Sequence, residues 1–333
     1  MRATVLLTIA AATVVSASGD RQAPAHLNPL VDLHAARKPV LGLYAPSNPR
    51  ARPGAAQPVA DAPPPKTPAQ LAQDALAYPN ADFLFDGSME HDFDRGYAAL
   101  APFMRGIAEA GNVEPGPHPR LRRPIAVKTP RIADDPALAR ERIAKQLALG
   151  VSTIVFVGVE SAEELRTGLA AMRFGGEGGS RPADVGSAPA FWGLSEKAYR
   201  ARADLWPLAP NGELTAWAIV ESWPGLERVR DIARVKGISV LFPGAGTLRG
   251  VYTTVDSATG QRTFDAAGWE GAIQKVLAAC KEFDVPCGYP ANDPQTVEER
   301  MRQGFTVFIA AWGENGFRAV EYGRMAAGRA PTH

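Results

Sequence analysis

Eight short, almost continuously apolar runs recur along this chain, and segments with helical patterning separate them. Such runs are typical of strands buried on both faces of a parallel sheet, and their alternation with helices indicates βα units. An open doubly wound sheet has about five or six strands, whereas eight strands with as many helices fit a closed barrel. We therefore predict a (β/α)8 TIM barrel of the α/β class, with strands within 40–45, 82–86, 124–129, 153–159, 215–221, 239–243, 285–289 and 305–311.

Helix start signals fall between these runs, as the barrel requires. Asp135 and Asp293 each precede a proline, which places an N-cap residue before a proline at the first helical position. Ser161 and Glu164 have the spacing of a capping box. Gly150 stands where the helix that Asp135 begins is expected to end.

The N-terminus has the order of a secretory signal peptide. The first methionine is followed by one arginine, then by an apolar run from Val5 to Val15, and then by small residues around Ala17. We predict that 1–19 are a signal peptide, that the protein is exported to the periplasm or medium, and that 20–333 form a single barrel domain. Later stretches fall short of the roughly 20 apolar residues of a transmembrane helix, so we expect no membrane association after cleavage.

The charge balance restricts the classes of partner, and the two cysteines raise the question of a disulfide. The chain has 36 Lys+Arg and 35 Asp+Glu, a formal charge of +1, which provides no basic surface for nucleic acid and favours a small molecule or a protein. An oxidising compartment permits Cys280 and Cys287 to pair. Because one lies in a helix-like run and the other in a strand-like run, their side chains need not converge.

Three connections are longer than the barrel plan needs. A proline-rich loop insertion occupies about 46–66, and 111–123 has a similar composition. The third, 175–211, contains glycines without the spacing of a dinucleotide or phosphate loop, together with Phe191, Trp192 and Tyr199. We expect long connections of this kind to be irregular and to shape a ligand site.

Ionisable residues follow three of the predicted strands, where barrel enzymes carry their chemistry. Glu90 and His91 belong to an acidic cluster after the second strand, which either holds a general base or is a solvated loop. Lys128 ends the third strand, as an anion partner, a Schiff-base nucleophile or an exposed lysine. Glu221 ends the fifth strand, facing a cation or forming the first exposed loop residue. The turn Gly244–Gly246 lets a ligand approach the backbone.

The succession DFLFDGSMEH, PIAVKTP, AWAIVES, SVLFPGAGTL and VPCGYPANDPQTVEERMRQGFTVFIAAW resembles the HpcH/HpaI aldolase family over about 28–325. The resemblance implies a carbon-carbon lyase that acts on a 2-keto acid through a pyruvate enolate. It implies a divalent cation, Mg2+ or Mn2+, bound by a Glu and an Asp, with a His handling protons and an Arg polarising the carbonyl. It also implies assembly through barrel faces, commonly as homo-hexamers.

Several family positions are kept and others are changed. Glu90 and His91 match the family's Glu-His pair after a two-residue insertion, and Glu221 matches the metal-binding Glu. Lys128 replaces the Arg, and Gly246 replaces the second metal ligand. Gly244, Ala245 and Gly246 are also candidate substrate-binding residues, because their small-residue turn lets a ligand approach the backbone. Ser187 is a further candidate, through a Gly-Ser-Ala stretch that resembles the family's substrate loop. Changes are also found at two further positions, where Ile219 replaces a Gln and Ala148 replaces the carboxylate that partners the His.

These changes leave three hypotheses. The first is a metal-dependent aldolase with Glu221 as metal ligand, His91 and Glu90 in acid/base chemistry, and Lys128 as carbonyl or carboxylate partner. The second is an exported barrel that has lost catalysis and binds a keto acid or a protein. The third is an aldolase that uses Lys128 in place of the metal, through its ammonium or an imine.

Overall fold

Eight parallel strands form a closed barrel in the computed structural model, which describes residues 26–48, 64–176 and 178–331. The strands are β1 to β8 in chain order, and neighbours along the chain pair in parallel from β1 to β6 and from β7 through β8 back to β1. Leu241 N donates to Pro286 O at 3.0 Å, and Leu241 also bridges Cys287, which joins β6 to the start of β7. The predicted TIM barrel is confirmed.

The strands coincide with the eight apolar runs, and helices lie between them. The barrel strands are β1 Val40–Tyr44, β2 Phe83–Asp86, β3 Ile125–Thr129, β4 Thr153–Phe156, β5 Thr215–Val220, β6 Val240–Pro243, β7 Gly288–Pro290 and β8 Val307–Ala310. The helices are α1 Pro29–Ala35, α2 Pro68–Ala77, α3 Phe93–Glu109, α4 Pro136–Ala148, α5 Ala162–Met172, α6 Ala188–Phe191, α7 Glu196–Arg202, α8 Trp223–Glu227, α9 Val229–Ala233, α10 Ala245–Val251, α11 Ala266–Phe283, α12 Pro294–Gln303 and α13 Glu314–Ala326.

Alternate strand residues fill the barrel interior. Phe83, Trp217 and Phe242 are buried there, and the ring centroids of Phe83 and Trp217 are 5.0 Å apart. Gly42 and Gly288 also face inward, since a Cβ at either position would lie 2.2 Å from the ring of Phe83 or Phe242. Large rings therefore fit because glycines on neighbouring strands leave them space, and the interior forms an apolar floor beneath the strand ends.

The predicted helix starts are present. Asp135 accepts from Ala137 N and Leu138 N, and Asp293 accepts from Thr296 N. Ser161 accepts from Glu164 N at 3.1 Å, but the capping box is incomplete, because the Glu164 carboxylate accepts from Glu160 N rather than from Ser161. The N-cap residues thus begin the helices that the sequence predicts.

Two connections are more regular than predicted. Within 111–123, Val113–Glu114 pairs antiparallel with Arg120–Leu121. The connection 175–211 contains α6 and α7, and its aromatic residues pack in the core, with Trp192 and Tyr199 fully buried and Trp192 Nε1 donating to Gly150 O at 2.8 Å. Trp192 and Tyr199 therefore pack the connection against the end of α4, so these two rings do not line a ligand site.

Cys280 and Cys287 form a disulfide with a Cα–Cα distance of 5.7 Å. Their side chains converge because of the way in which α11 ends. Asp284 adopts the left-handed conformation, with φ 58° and ψ 37°, and turns the chain back towards the helix. Cys287 therefore lies beside Cys280, and both side chains are buried.

The proposed signal peptide and 49–63 of the proline-rich insertion lie outside the described residues. The described ends of that insertion, Pro46–Asn48 and Pro64–Lys66, have no helix or strand, as predicted. Among the described helices, none combines the length and apolar character that a membrane crossing demands.

Candidate active site

Polar side chains continue the inward-facing positions of three strands at the carboxyl end of the barrel. Tyr44 follows Gly42 by two residues on β1, Lys128 follows Ala126 on β3, and Glu221 follows Ile219 just past β5. Since successive strand residues alternate between faces, these three groups stand above the apolar floor. We call this end of the barrel, with Tyr44, Lys128 and Glu221, the mouth.

Lys128 and Glu90 form an ion pair at the mouth. The Lys128 Nζ to Glu90 Oε2 distance is 2.7 Å, and each side chain is 17% exposed. Asp86, the last residue of β2, accepts from Ser88 N and from Ser88 Oγ. Glu90 and Lys128, both candidates from the sequence, therefore lie together at the mouth, and the pair has enough solvent contact to meet a ligand.

His91 is beside this pair but is not fixed by it. Its Nε2 lies 3.9 Å from Glu90 Oε2, and its side chain is 91% exposed. A catalytic base needs a hydrogen bond to its substrate that often tightens only when the substrate is bound. The position of His91 is thus compatible with proton transfer to a ligand at the mouth.

Tyr44 is a mouth residue that the sequence analysis did not identify. Its ring packs edge-on against the ring of Phe85, and the two ring centroids are 4.9 Å apart. Burial raises the pKa of the Tyr44 hydroxyl, and the positive charge of Lys128 opposes that increase. The period-2 alternation from Val40 through Gly42 was the signal that could have placed Tyr44 inward.

Glu221 occupies the other side of the mouth. Its Oε1 accepts from Gly158 N at 2.9 Å. A Cβ on Gly244 would lie 2.4 Å from the Cβ of Glu221, so Gly244 must lack a side chain for the carboxylate to pack there. Glu221 and Gly244, which follow neighbouring strands, are therefore in contact at the mouth.

The residues after Gly244 differ in accessibility. Ala245 is buried and begins α10, whereas Gly246 is exposed in the first turn of that helix. A Cβ added at Gly246 would meet no atom within 4 Å, and the φ of Gly246 is not positive. An aspartate would therefore fit at Gly246 without backbone strain.

Ser187 is separated from the mouth in this chain. Its hydroxyl donates to Ala148 O at 3.3 Å, at the carboxyl end of α4 in the outer layer. Gly186 packs against the same carbonyl. The substrate-binding role that the Gly-Ser-Ala stretch implies thus stays a prediction, and the described structure does not bring Ser187 to Lys128 or Glu221.

A second polar cluster lies beside Glu221 and was also missed by sequence reasoning. Glu160 accepts from Ser222 Oγ at 2.7 Å and pairs with Arg131 Nη2 at 3.3 Å. The Arg131 side chain packs against Gly158, whose amide binds Glu221. This cluster holds the loops after β3, β4 and β5 together and orients Glu221.

The donor groups at the mouth do not fit a resident divalent cation. Over 26–48, 64–176 and 178–331, no three His, Cys, Asp or Glu side chains are placed to share a metal ion. Ala245 and Gly246 supply no carboxylate beside Glu221, and one Glu221 oxygen already binds the Gly158 amide. Mg2+ and Mn2+ need several oxygen ligands, so Glu221 alone is a weak site.

Comparisons with known proteins agree with this architecture. A curated relative, the 2-dehydro-3,6-dideoxy-6-sulfogluconate aldolase of Pseudomonas putida, is 25% identical over 181 residues, which cover 54% of this chain and 63% of that relative, just under two thirds of its length. An HpcH/HpaI aldolase/citrate lyase family protein from Burkholderia cenocepacia J2315 has a TM-score of 0.62 at 21% identity, covering 85% of this chain and 92% of that chain.

The HpcH/HpaI aldolase from Desulfitobacterium hafniense DCB-2 has a TM-score of 0.56 at 15% identity, covering 85% of this chain and 90% of that chain. Both solved structures share the fold. The sequence model described as HpcH/HpaI aldolase/citrate lyase matches residues 130–321, which is more than half of the chain. This chain therefore belongs to the HpcH/HpaI aldolase/citrate lyase family.

Proposed function

We propose that this protein is a carbon-carbon lyase that cleaves or forms an aldol of a 2-keto acid, with Lys128 as the cation at the mouth. The observation that carries the proposal is the Lys128–Glu90 ion pair above an apolar floor. A partly buried cation at this place is suited to the carboxylate and keto oxygen of pyruvate. Family membership supports the lyase class, and the curated relative supports an aldol substrate.

The bond change can be written with the residues present. In the cleavage direction, His91 removes the proton from the hydroxyl on C4 of a 4-hydroxy-2-keto acid. The C3–C4 electron pair moves towards C2, which leaves an aldehyde and an enolate of pyruvate. The ammonium of Lys128 stabilises the negative enolate oxygen, and a proton returned to C3 completes pyruvate.

Lys128 acts in this proposal as a charge and a hydrogen-bond donor. Its Nζ donates to the Glu90 carboxylate at 2.7 Å, the geometry of a charge-assisted hydrogen bond. An ammonium has three N–H donors, so two remain for substrate oxygens. We therefore favour electrostatic stabilisation by Lys128 over an imine.

Glu221 is the remaining metal-ligand position of the family pattern. Because the donor set does not fit a resident cation, no step is assigned to one. Glu221 instead contributes a fixed carboxylate, held by the Gly158 amide, that limits where a keto acid can bind. The polar group of the substrate is thereby directed towards Lys128 on the other side of the mouth.

Exchange of the C3 protons of pyruvate tests the proposal, since it requires only enolate formation. We expect the purified mature protein to exchange these protons in D2O, followed by one-dimensional proton NMR. Lys128→Met should lose this exchange. Lys145→Met, which removes an exposed lysine at the end of α4, is its matched control for charge and should keep it. No exchange above buffer would contradict the lyase.

A binding protein without catalysis is the second candidate. The observation that favours it is the combined change at Ile219 and Gly246, which removes two polar groups from the family site. Such a protein would bind pyruvate, measured by isothermal titration calorimetry, without exchanging its protons. Binding and exchange together therefore separate the two candidates.

We also propose that the protein is exported and that 1–19 are removed. The Cys280–Cys287 disulfide supports this, because disulfides persist in oxidising compartments. N-terminal sequencing of the protein from the periplasm or medium should start after about Ala17. An intact Met1 on functional protein would contradict export. Assembly into a homo-oligomer stays an expectation from the family resemblance.

A further inference from the structure

A cleft of about 630 Å³ opens beside the mouth, between the ends of β1 and β2 and the helices α2 and α3. Its walls are mostly apolar. Ala45, Leu71, Ala99 and Phe103 line it, together with Pro68 and Pro102. This volume is within the roughly 300–1,000 Å³ of pockets that hold drug-sized ligands, so it exceeds the needs of a two-carbon aldehyde.

Most polar residues that border this cleft already have partners. Lys66 Nζ pairs with Asp74 at 2.5 Å, and the Asp92 carboxylate caps α3 by accepting from Arg95 N. Asn48 and Lys66 are joined by two hydrogen bonds of 2.8 Å, which fix one wall. Apart from the exposed Arg95, the described lining offers few free polar groups for sugar hydroxyls or phosphate.

The cleft meets the candidate active site at His91, whereas Lys128, Glu90 and Glu221 are outside its lining. His91, Asp86 and Ser88 line it, and His91 is also 3.9 Å from Glu90, the partner of Lys128. In the cleavage proposed above, His91 takes the proton of the C4 hydroxyl, which belongs to the aldehyde fragment. An aldehyde fragment held at His91 therefore has this cleft beside it when the keto acid faces Lys128.

We infer that the aldehyde partner of this lyase is apolar, with a chain or ring of about five carbons or more that occupies the cleft. The inference rests on the proposed function for its reaction, but the cleft's preference for apolar ligands can be measured without catalysis. Each buried methylene contributes a several-fold gain in binding. The acceptor preference should consequently rise with chain length.

The test compares hexanal with acetaldehyde as acceptors for pyruvate. We expect the protein to prefer hexanal in kcat/KM by at least about tenfold. Ala99→Trp, which fills the cleft, should lower this ratio at least about tenfold. Ala77→Trp, on the exposed carboxyl end of α2 and outside the cleft, is the matched control and should keep the wild-type ratio.

Binding of 1-hexanol, measured by saturation-transfer NMR, gives a readout that does not depend on turnover. Wild type and Ala77→Trp should bind it, and Ala99→Trp should lose binding. If pyruvate exchange is absent but this pattern holds, the lyase fails and the apolar cleft stands. If exchange occurs and hexanol binding or acceptor preference is equal in all three proteins, the inference about the aldehyde is overturned.

Discussion

The two sides of the mouth differ in how their charges are paired. On the β2–β3 side, Lys128 and Glu90 form a 2.7 Å ion pair, and His91 and a large cleft adjoin it. On the β5–β6 side, Glu221 binds a backbone amide and packs against Gly244. The barrel places strand ends at one edge whichever residues they carry, so this chain keeps the fold while shifting the usable charge to one side.

The largest expected effect is on the charged side. Lys128→Met should reduce pyruvate proton exchange by about 10²–10³-fold, the loss typical of one donor that stabilises an oxyanion. The pairing with Glu90 would also be lost, so far-ultraviolet circular dichroism should accompany the NMR assay to show that the barrel is intact. If Lys128→Met kept at least half of the wild-type rate, the two sides of the mouth would not differ as proposed.

Acid stability separates the mouth from the opposite end of the barrel. Burial lowers the pKa of His34, in α1, to about 4. His34 therefore stabilises the fold above its unfolded pKa near 6.5, and this contribution is lost as the pH falls towards 4, by about 3 kcal/mol. In His34→Leu, the free energy of unfolding by urea should depend less on pH between those values. Its rate of pyruvate proton exchange relative to wild type should be unchanged.

The exposed His118 offers the matched control for that experiment. His118→Leu should leave the pH dependence of unfolding as in wild type. An equal slope in wild type, His34→Leu and His118→Leu would show that burial of His34 is not the cause.

Restoring a carboxylate should make the two sides more alike. Gly246→Asp places a second carboxylate on the Glu221 side without steric conflict, and Mn2+ affinity should increase by about tenfold. Gly250→Asp, on the same helix and equally free of neighbours, should change it less than twofold. Mn2+ binding followed by electron paramagnetic resonance makes the comparison. Equal affinities in both variants would mean that Gly246 does not face Glu221.

The smallest effect is expected from neutralising Glu221. Glu221→Gln keeps an oxygen that can accept from the Gly158 amide, so exchange in the presence of a chelator should change by no more than about threefold. The metal-dependent family mechanism predicts instead that this variant loses turnover. Rates measured with and without Mn2+ distinguish these outcomes.

The barrel was predictable because its signals are local. Apolar runs mark buried strands, and Asp135 and Asp293 mark helix starts that the structure contains. Their places after neighbouring strands predicted that Lys128 and Glu90 share one end of the barrel, but not that they form an ion pair. Both precede 130–321, the part matched by the family model, so their roles depend on geometry more than on that match.

The features that the sequence did not predict depend on contacts between segments that are distant along the chain. Ser187 was assigned from a three-residue resemblance, but the packing of 175–211 against α4 decides where it lies. Trp192 and Tyr199 are core residues for the same reason. The disulfide required a left-handed turn at Asp284, which the sequence patterns did not indicate.

The most direct test of the account is pyruvate proton exchange by the wild-type protein in an excess of chelator. If Lys128 provides the positive charge at the mouth, exchange should continue at a rate within about twofold of that in Mg2+. Lys128→Met should exchange about 10²–10³-fold more slowly than wild type under both conditions. Exchange that stops in chelator and returns with Mg2+ or Mn2+ would contradict the account and restore the cation at Glu221 as the essential group.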